Sequence, residues 1–180
     1  QHTMIDDGTG FRSHHRQDLL KSSDGNVRLV DMEFAPDGSL YVVDWHNVLV
    51  GHMQHSARDP LRDHEHGRIY RMTYPSRPLI QPAQVAGASI PQLLDNLKLP
   101  EYRTRYRTRR ELRGRSSGAV LPALKAWTER LDASDPKVEH HLVEAMWVGW
   151  GFDQIDVSLV NRLLQADDFK ARAAAVRVVR

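Results

Sequence analysis

Histidine is concentrated in one short stretch of the sequence, DWHNVLVGHMQHSARDPLRDHEHGRIYR at residues 44–71. Five of the ten histidines lie within 21 positions of this stretch, beside several aspartates and arginines. Imidazole exchanges protons near neutral pH, carboxylate binds cations or orients imidazole, and guanidinium binds anions. These residue types could therefore supply a general base with charged partners, or the ligands of a metal ion.

Two pairs of histidines have spacings that bring imidazole rings together. His52 and His55 form HxxH, which places two rings at neighbouring positions of a helical turn. His64 and His66 form HxH, which places both rings on one face of a strand. Imidazole favours a transition metal and carboxylate favours calcium, so these residue types leave the metal open.

A structural interpretation of the same stretch stays open beside the chemical one. Histidine and aspartate in loops often hydrogen-bond to the backbone and hold the loop in place. Residues 44–68 could therefore form a clasp, or they could line a functional pocket. The 21 residues between Trp45 and Gly67 exceed the usual length of a hairpin loop, and long anchored loops often carry binding residues.

β-Strands are predicted on both sides of this loop. LVDMEF (29–34) alternates, APDG (35–38) is typical of a turn, and SLYVVDW (39–45) resumes β-branched and aromatic residues. GRIYRMTY (67–74) is a third strand. The order predicts a three-stranded antiparallel meander, and so small a sheet leaves edges and faces uncovered. We therefore expect it to be part of a larger sheet assembly.

The rest of the chain predicts helices, so the fold class is mixed, β and then α. Four prolines interrupt residues 75–91, and we predict a β region over 1–75, a linker over 76–90 and a helical region over 91–180. Similar helix entries recur at offsets of 36 and 31 residues, which is the scale of HEAT or armadillo repeats. Apolar residues at helical spacing predict helices over 90–99, 101–115, 119–131, 136–150, 157–165 and 168–179.

Composition excludes several classes of protein and site. The chain has 41% hydrophobic and 27% charged residues, and no apolar run of membrane-spanning length. It has no cysteine, which excludes disulfides, thiolate metal sites and the attachment motif of a c-type haem within these residues. Residues 1–75 carry 8 basic against 11 acidic residues, whereas residues 76–180 carry 17 against 12. The two halves therefore differ in charge as well as in pattern.

Seven arginines and two tyrosines lie within residues 101–115. They could contact phosphates and stack on bases, but a solvated helix face is the commoner explanation, and Glu101 and Glu111 can pair along the helix. We therefore do not expect nucleic acid as a partner. Helical spacing places Tyr102, Tyr106 and Leu112 roughly on one side of the helix, with the seven arginines around the rest.

One long stretch of the sequence reads VDMEFAPDGSLYVVDWHNVLVGHMQHSARDPLRDHEHGRIYRMTY. It resembles the end of the β-propeller in large proteins of planctomycetes and verrucomicrobia described as membrane-bound dehydrogenases. F-x-P-D-G-x-L-Y-V-x-D is a general propeller signature, and the histidine-rich motif after it is much narrower. The propellers of those proteins look like soluble pyrroloquinoline-quinone (PQQ) glucose or sorbosone dehydrogenases, and HEAT-like helices and a cytochrome c domain commonly follow.

The resemblance implies a partial propeller blade followed by a helical solenoid, both belonging to a longer protein. It implies oxidation of a sugar or alcohol with PQQ and calcium, transfer of electrons to a cytochrome c, and a periplasmic or otherwise extracytoplasmic location. No haem is expected in this chain. A histidine would act as general base, an arginine would steady the reduced cofactor, and two further residues would orient the site. The candidates are His52, His55, His64, His66, Arg58 and Arg68 as catalytic residues, and Asp44 and Asn47 as cofactor-binding residues.

A second hypothesis takes the same elements as a non-catalytic module for protein interaction. Propellers and helical repeats both serve as binding scaffolds, and a fold alone does not specify an activity. The two hypotheses differ in where the histidine side chains point. Convergence on a shared cavity favours the enzyme, and exposure to solvent favours the binding module.

Overall fold

The computed structural model describes residues 1–49 and 58–179. The chain divides into two compact units, Gln1–Leu79 and Ile80–Arg180. Within the described ranges the first unit contains five strands and the second contains six helices. The prediction of a mixed chain, β and then α, is confirmed. The described helices include none that is long and apolar enough to cross a membrane.

The first two strands form a hairpin that the sequence analysis did not predict. β1 (His2–Asp7) pairs antiparallel with β2 (Gly10–His15), and Asp7 lies opposite Gly10. Gly8 adopts φ +66°, the left-handed conformation that a two-residue hairpin turn requires. Every residue of both strands is exposed, so no alternation of burial marks them.

The predicted meander is confirmed as a second sheet in the order β3-β4-β5. β3 (Leu29–Phe34), β4 (Leu40–Asp44) and β5 (Arg68–Met72) are antiparallel to their neighbours. The turn between β3 and β4 uses Gly38 at φ +85°, and the Gly38 amide donates to the Ala35 carbonyl at 2.9 Å. Pro-Asp-Gly therefore makes the turn that its chemistry favours.

The sheet buries little apolar surface. Along β4, Leu40, Val42 and Asp44 are buried and the residues between them are exposed. On β3, which runs along one edge, Met32 and Phe34 remain 63% and 61% exposed. So small a sheet leaves these apolar side chains exposed in the described residues, and the larger sheet assembly stays a prediction.

Several of the six described helices begin at side-chain caps. The Ser89 and Gln92 side chains form a capping box at the first helix, and the Glu101 and Asp156 carboxylates accept backbone amides at the second and fifth. The helices are α1 (Ile90–Asn96), α2 (Tyr102–Arg113), α3 (Ser117–Glu129), α4 (Val138–Gly151), α5 (Val157–Leu164) and α6 (Phe169–Val179).

Two apolar cores hold the helices together. The first joins α1 through α4 and includes Leu93, Leu112 and Val120. The second joins α4, α5 and α6 and includes Leu142 and Leu163. Helix α4 contributes to both cores, so it links the whole helical unit.

Helix α2 does not bury the side that carries its tyrosines. Leu112 is fully buried, but it shares the buried side with Thr104 and Thr108. Tyr102 and Tyr106 instead remain 55% and 40% exposed. Buried residues therefore follow an i, i+4, i+8 stripe in which small threonines fit against neighbouring helices.

Candidate functional site

Asp44 is the centre of a polar cluster in the β unit. It ends strand β4 and is only 1% exposed. Its Oδ1 accepts from the backbone amides of Arg28 and His46 at 2.7 and 2.9 Å. Its Oδ2 accepts from Nε of Arg68 at 2.8 Å and from the Tyr70 hydroxyl at 3.2 Å. One carboxylate thereby joins the segment before β3, the end of β4 and the start of β5.

The environment of Asp44 keeps its carboxylate charged. Burial by itself would raise the pKa of Asp44, but hydrogen bonds from the Arg28 and His46 amides and from Arg68 outweigh it. The pKa of Asp44 falls to about 2. Asp44 is therefore an anion at neutral pH, and all of its described contacts are donors.

Arg68 extends the cluster to a second carboxylate. Its Nη1 donates to Oδ2 of Asp24 at 2.7 Å while its Nε holds Asp44. The Asp24 hydrogen bond, opposed by burial and helped by Asp44, raises the pKa of Arg68. Arg68 thus connects two chain segments. Asp44 lies 24 residues before it in the sequence, and Asp24 lies 44 residues before it.

The turn after β4 is tied down by its own polar groups. His46 adopts φ +54°, a conformation that is uncommon for a residue with a side chain. Asn47 is fully buried, and its Oδ1 accepts the Leu49 amide at 3.1 Å. Arg28 donates from Nη2 to the Val48 carbonyl at 2.7 Å. The turn is therefore held by hydrogen bonds from Asn47 and Arg28.

Asp63 brings two histidines together. The Nδ1 of His66 lies 2.9 Å from Oδ2 of Asp63, and Nε2 of His46 lies 3.5 Å from the same oxygen. The backbone amide of Glu65 and the contacts from His66 lower the pKa of Asp63 to about 2, against a smaller opposing effect of burial. A carboxylate on Nδ1 places the imidazole proton there and leaves the Nε2 lone pair of His66 available.

His66 and Arg68 both line one concave surface of about 600 Å³. Its walls also include Trp45 and the aliphatic residues Val30 and Val43. Arg62 lies 4.7 Å above the ring of Trp45 as a cation–π partner. The arrangement places a histidine with a free nitrogen, a guanidinium and an apolar wall around the same space.

The predicted site residues divide into three groups by position. Asp44, His66 and Arg68 meet at the concave surface, and Asn47 lies in the turn beside Asp44. His64 and Arg58 are exposed, and so is His66, whose side chain is 68% exposed. His52 and His55 lie outside the described residues. The catalytic and cofactor-binding roles of all eight residues stay predictions.

The predicted catalytic and cofactor-binding residues did not include five residues that build this cluster. Asp63 could have been found from its spacing of three to His66, since a carboxylate at that distance reaches Nδ1 in a tight turn. His46 lies within the histidine-rich stretch but was not among the predicted site residues. The other three, Asp24, Arg28 and Tyr70, become partners of Asp44 or Arg68 only through the pairing of distant segments.

Four buried nitrogens of the cluster have no hydrogen-bond partner in the described part of the chain. A buried donor without an acceptor costs about 1–3 kcal/mol, so such groups call for a physical explanation. The site therefore has more donors than acceptors. The four atoms are Nε of Arg28, Nδ1 of His46, Nδ2 of Asn47 and Nη2 of Arg68.

The donor set of the described residues does not fit calcium. Both Asp44 oxygens are engaged by donors from within the protein, and Oδ1 of Asn47 accepts a backbone amide. Among residues 1–49 and 58–179, no group of three or more acidic or histidine side chains is arranged to hold a metal ion.

Comparison with known proteins gives one match. Residues 1–76 match the family model described as a domain of unknown function, DUF7133. The match covers 76 of the 180 residues and includes the Asp44 cluster and the Asp63–His66 pair. Searches of curated proteins and of solved structures returned no match. The β unit is therefore similar to a recognised domain, whose function that description leaves open.

Proposed function

We propose that the chain is part of a quinone-dependent, PQQ-type sugar or alcohol dehydrogenase that passes electrons to a cytochrome c. The β unit would be one blade of its propeller, and the helical unit would be a HEAT-like array. The observation that carries the proposal is the pairing of Asp63 with Nδ1 of His66 beside Arg68, on a concave surface.

The chemistry required of the chain is proton removal from a substrate hydroxyl. Nε2 of His66 accepts that proton, and Asp63 stabilises the imidazolium that forms through its hydrogen bond to Nδ1. Arg68 supplies positive charge beside the alkoxide as it develops. The quinone, when bound, supplies the acceptor for the two electrons.

The exposed sheet supports the assignment to a propeller. A blade packs its faces against the blades on either side, so its apolar side chains are exposed when it is taken alone. Met32 and Phe34 on β3 and Ile69 on β5 are exposed in this way. The sheet supplies three of the four strands that a blade usually contains.

The helical unit supports an extension by repeats. Successive helices pack against one another and α4 contributes to two consecutive cores, as in stacked helical hairpins. The proposal includes an extracytoplasmic location and a cytochrome c domain elsewhere in the longer protein. Both follow from the sequence resemblance.

The proposal is tested with the full-length protein that carries this chain. After loading with PQQ and calcium, it should reduce an artificial electron acceptor in the presence of an aldose or alcohol. His66→Ala should lower kcat by about 10²–10⁴-fold, because it removes the general base. Asp63→Asn should lower kcat more than it raises KM, since it changes the orientation of the base and leaves substrate contacts in place.

His64→Ala is the matched control, because His64 is an exposed histidine two residues from the proposed base. It should retain the parent kcat. A folded, loaded protein that oxidises nothing in a broad panel of sugars and alcohols would refute the dehydrogenase assignment. Equal losses from His64→Ala and His66→Ala would leave the dehydrogenase but refute His66 as its base.

A non-catalytic interaction module is the second candidate, and the exposed face of α2 favours it. The rings of Tyr102 and Tyr106 stack 6.5 Å apart, and the guanidiniums of Arg103 and Arg110 lie 5.9 Å from the tyrosine rings. Such a basic aromatic surface suits an acidic partner. If the module is correct, poly-glutamate should bind the full-length protein, and Arg110→Glu should weaken that binding while His66→Ala leaves it unchanged.

A further inference from the structure

The buried nitrogens without acceptors belong to residues that donate hydrogen bonds to Asp44 or that lie in the turn after it. Arg28 and His46 donate their backbone amides to Asp44, and Arg68 donates its Nε. Asn47 follows His46 in the turn after β4 and is fully buried. The unpartnered atoms are therefore concentrated at one end of the sheet.

The carboxylates of this cluster are already in use. Asp44 accepts four hydrogen bonds, and Asp24 accepts the Asn26 amide and Nη1 of Arg68. Three groups that can only donate remain: Nε of Arg28, Nη2 of Arg68 and Nδ2 of Asn47. The imbalance is thus a surplus of donors.

The side chains that carry these donors are held in place by their other atoms. Arg28 donates from Nη1 to the Val27 carbonyl at 2.6 Å and from Nη2 to the Val48 carbonyl at 2.7 Å. Arg68 is held by two carboxylates, and Asn47 by the Leu49 amide. None of the three can turn towards another acceptor without breaking an existing hydrogen bond, so the donors are preorganised.

We propose that Arg28, Asn47 and Arg68 form a binding site for a small oxyanion, a carboxylate or a phosphate. A single internal water fits less well, because it has two hydrogens of its own to donate and the carboxylates here are engaged. An oxyanion offers several acceptor atoms and no hydrogen. Arg68 also lines the concave surface of about 600 Å³.

The inference goes beyond the dehydrogenase proposal and does not depend on it. Oxyanion binding requires Arg28 and Asn47 together with Arg68, whose charge the dehydrogenase proposal also uses, whereas proton removal requires His66 and Asp63. Loss of activity in His66→Ala with unchanged oxyanion binding would separate the two sites. Each proposal therefore fails by a different measurement.

The test is a titration of the 180-residue chain, labelled with ¹⁵N, with inorganic phosphate and separately with acetate. Ionic strength is held constant with sodium chloride. Saturable shifts of the Nε–H signal of Arg28 and the Nδ2 signals of Asn47 are expected with at least one anion. A response to acetate alone identifies a carboxylate site, a response to phosphate alone identifies a phosphate site, and a response to both identifies a general oxyanion site.

Asn47→Asp is the matching variant, because it exchanges the donating amide for an oxygen and keeps the acceptor that holds Leu49. It should weaken anion binding by about tenfold or more, as expected for loss of one hydrogen bond to a charged group. Asn96→Asp is the control: it makes the same change of charge in the helical unit, where Nδ2 of Asn96 already has an acceptor in the Gln84 carbonyl. It should bind like the parent.

The wild-type titration decides the proposal even if Asn47→Asp fails to fold. Linear shifts spread over the arginines of α2 would mean non-specific binding and would overturn it. So would a chain in which neither anion shifts Asn47 and a long-lived water gives a nuclear Overhauser effect to Nδ2. In that case the surplus donors hold an internal water only.

Discussion

The two units of the chain are stabilised by different kinds of buried group. In the described part of Gln1–Leu79, the buried apolar residues are Leu40 and Val42, whereas Ser39, Asp44 and Asn47 are buried polar residues. The helical unit instead contains two apolar cores. The β unit therefore depends on directed hydrogen bonds, and the helical unit depends on the area of apolar surface it removes from water.

Each unit also buries a carboxylate beside arginine, and the comparison shows two uses of the same pairing. Glu144 on α4 is held by Arg105 and Arg109 of α2, so its contacts fix one helix against another. Asp44 accepts two backbone amides in addition to Arg68. Asp44 thus fixes the path of the chain itself, which matters where a turn must hold functional groups.

The largest expected effect is that of Asp44→Ala on the β unit. Removing this carboxylate leaves several buried donors without an acceptor. This loss should lower the free energy of unfolding of Gln1–Leu79 by about 3–5 kcal/mol. Hydrogen exchange read by mass spectrometry reports the two units separately, and the helical unit should be unchanged. Asp18→Ala removes an exposed ion pair to Lys21 and should cost less than about 1 kcal/mol. A similar loss of exchange protection in both units would contradict the expectation that the effect is confined to the β unit.

Leu93→Ala should have the converse effect. Leu93 is fully buried in the first helical core, so its truncation should lower the free energy of unfolding of the helical unit by about 2–5 kcal/mol. The β unit should keep its exchange protection. Leu99→Ala, at a partly exposed position, is the control and should have a much smaller effect. Equal effects at the two leucines would mean that the first helical core does not determine the stability of the helical unit.

Acid should weaken the β unit through Asp44. The pKa of Asp44 is about 2 in the folded chain, below its ordinary value of 3.8, because hydrogen bonds from Arg28 and His46 outweigh burial. A lowered folded pKa gives stability that is complete above pH 3.8 and is lost as the pH falls through 2. Exchange protection of the β unit, corrected for intrinsic rates, should hold from pH 7 to about pH 4 and fall below it.

The Asp44→Ala variant provides the control for this acid effect. It lacks the titrating carboxylate, so the stability of its β unit should depend much less on pH over the same window. If the variant and the parent chain lose protection in parallel, another group governs the acid response.

Ser89→Ala should have a smaller effect, confined to the start of α1. It removes the capping box with Gln92 and should cost about 1 kcal/mol in the helical unit. Local exchange of the first turn of α1 is the measurement. Ser23→Ala, in an exposed loop of the β unit, should change nothing measurable. An unchanged first turn would show that Pro91 and packing define the helix start without the cap.

Phe34→Ser should have the smallest effect in the 180-residue chain. Phe34 is largely exposed on an edge strand, so the change should be within about 0.5 kcal/mol. In the full-length protein a propeller would cover this face, and the same substitution should then cost about 3 kcal/mol or more. Thermal unfolding of both proteins gives the comparison. Equal, negligible effects would argue against a covering blade.

The sequence predicted those elements whose patterns are local. The strand LVDMEF is observed at Leu29–Phe34, and the helix predicted over 157–165 is observed at Val157–Leu164. The hairpin His2–His15 was missed because both strands are exposed and polar, so no alternation marks them. The exposure of the α2 tyrosines was not predicted, because helical spacing gives the faces of a helix but does not say which face is buried.

For the candidate site, the sequence indicated the residue types and the stretch, and the pairing of strands selected the partners. The chemistry of Pro-Asp-Gly, the helix caps and the apolar periods depends on neighbours within a few residues, so the sequence determined them. The contact between Asp44 and Arg68 spans 24 residues and exists because β4 and β5 pair in one register. The tertiary structure alone decided which nitrogens were buried without acceptors, since burial depends on every segment that surrounds them.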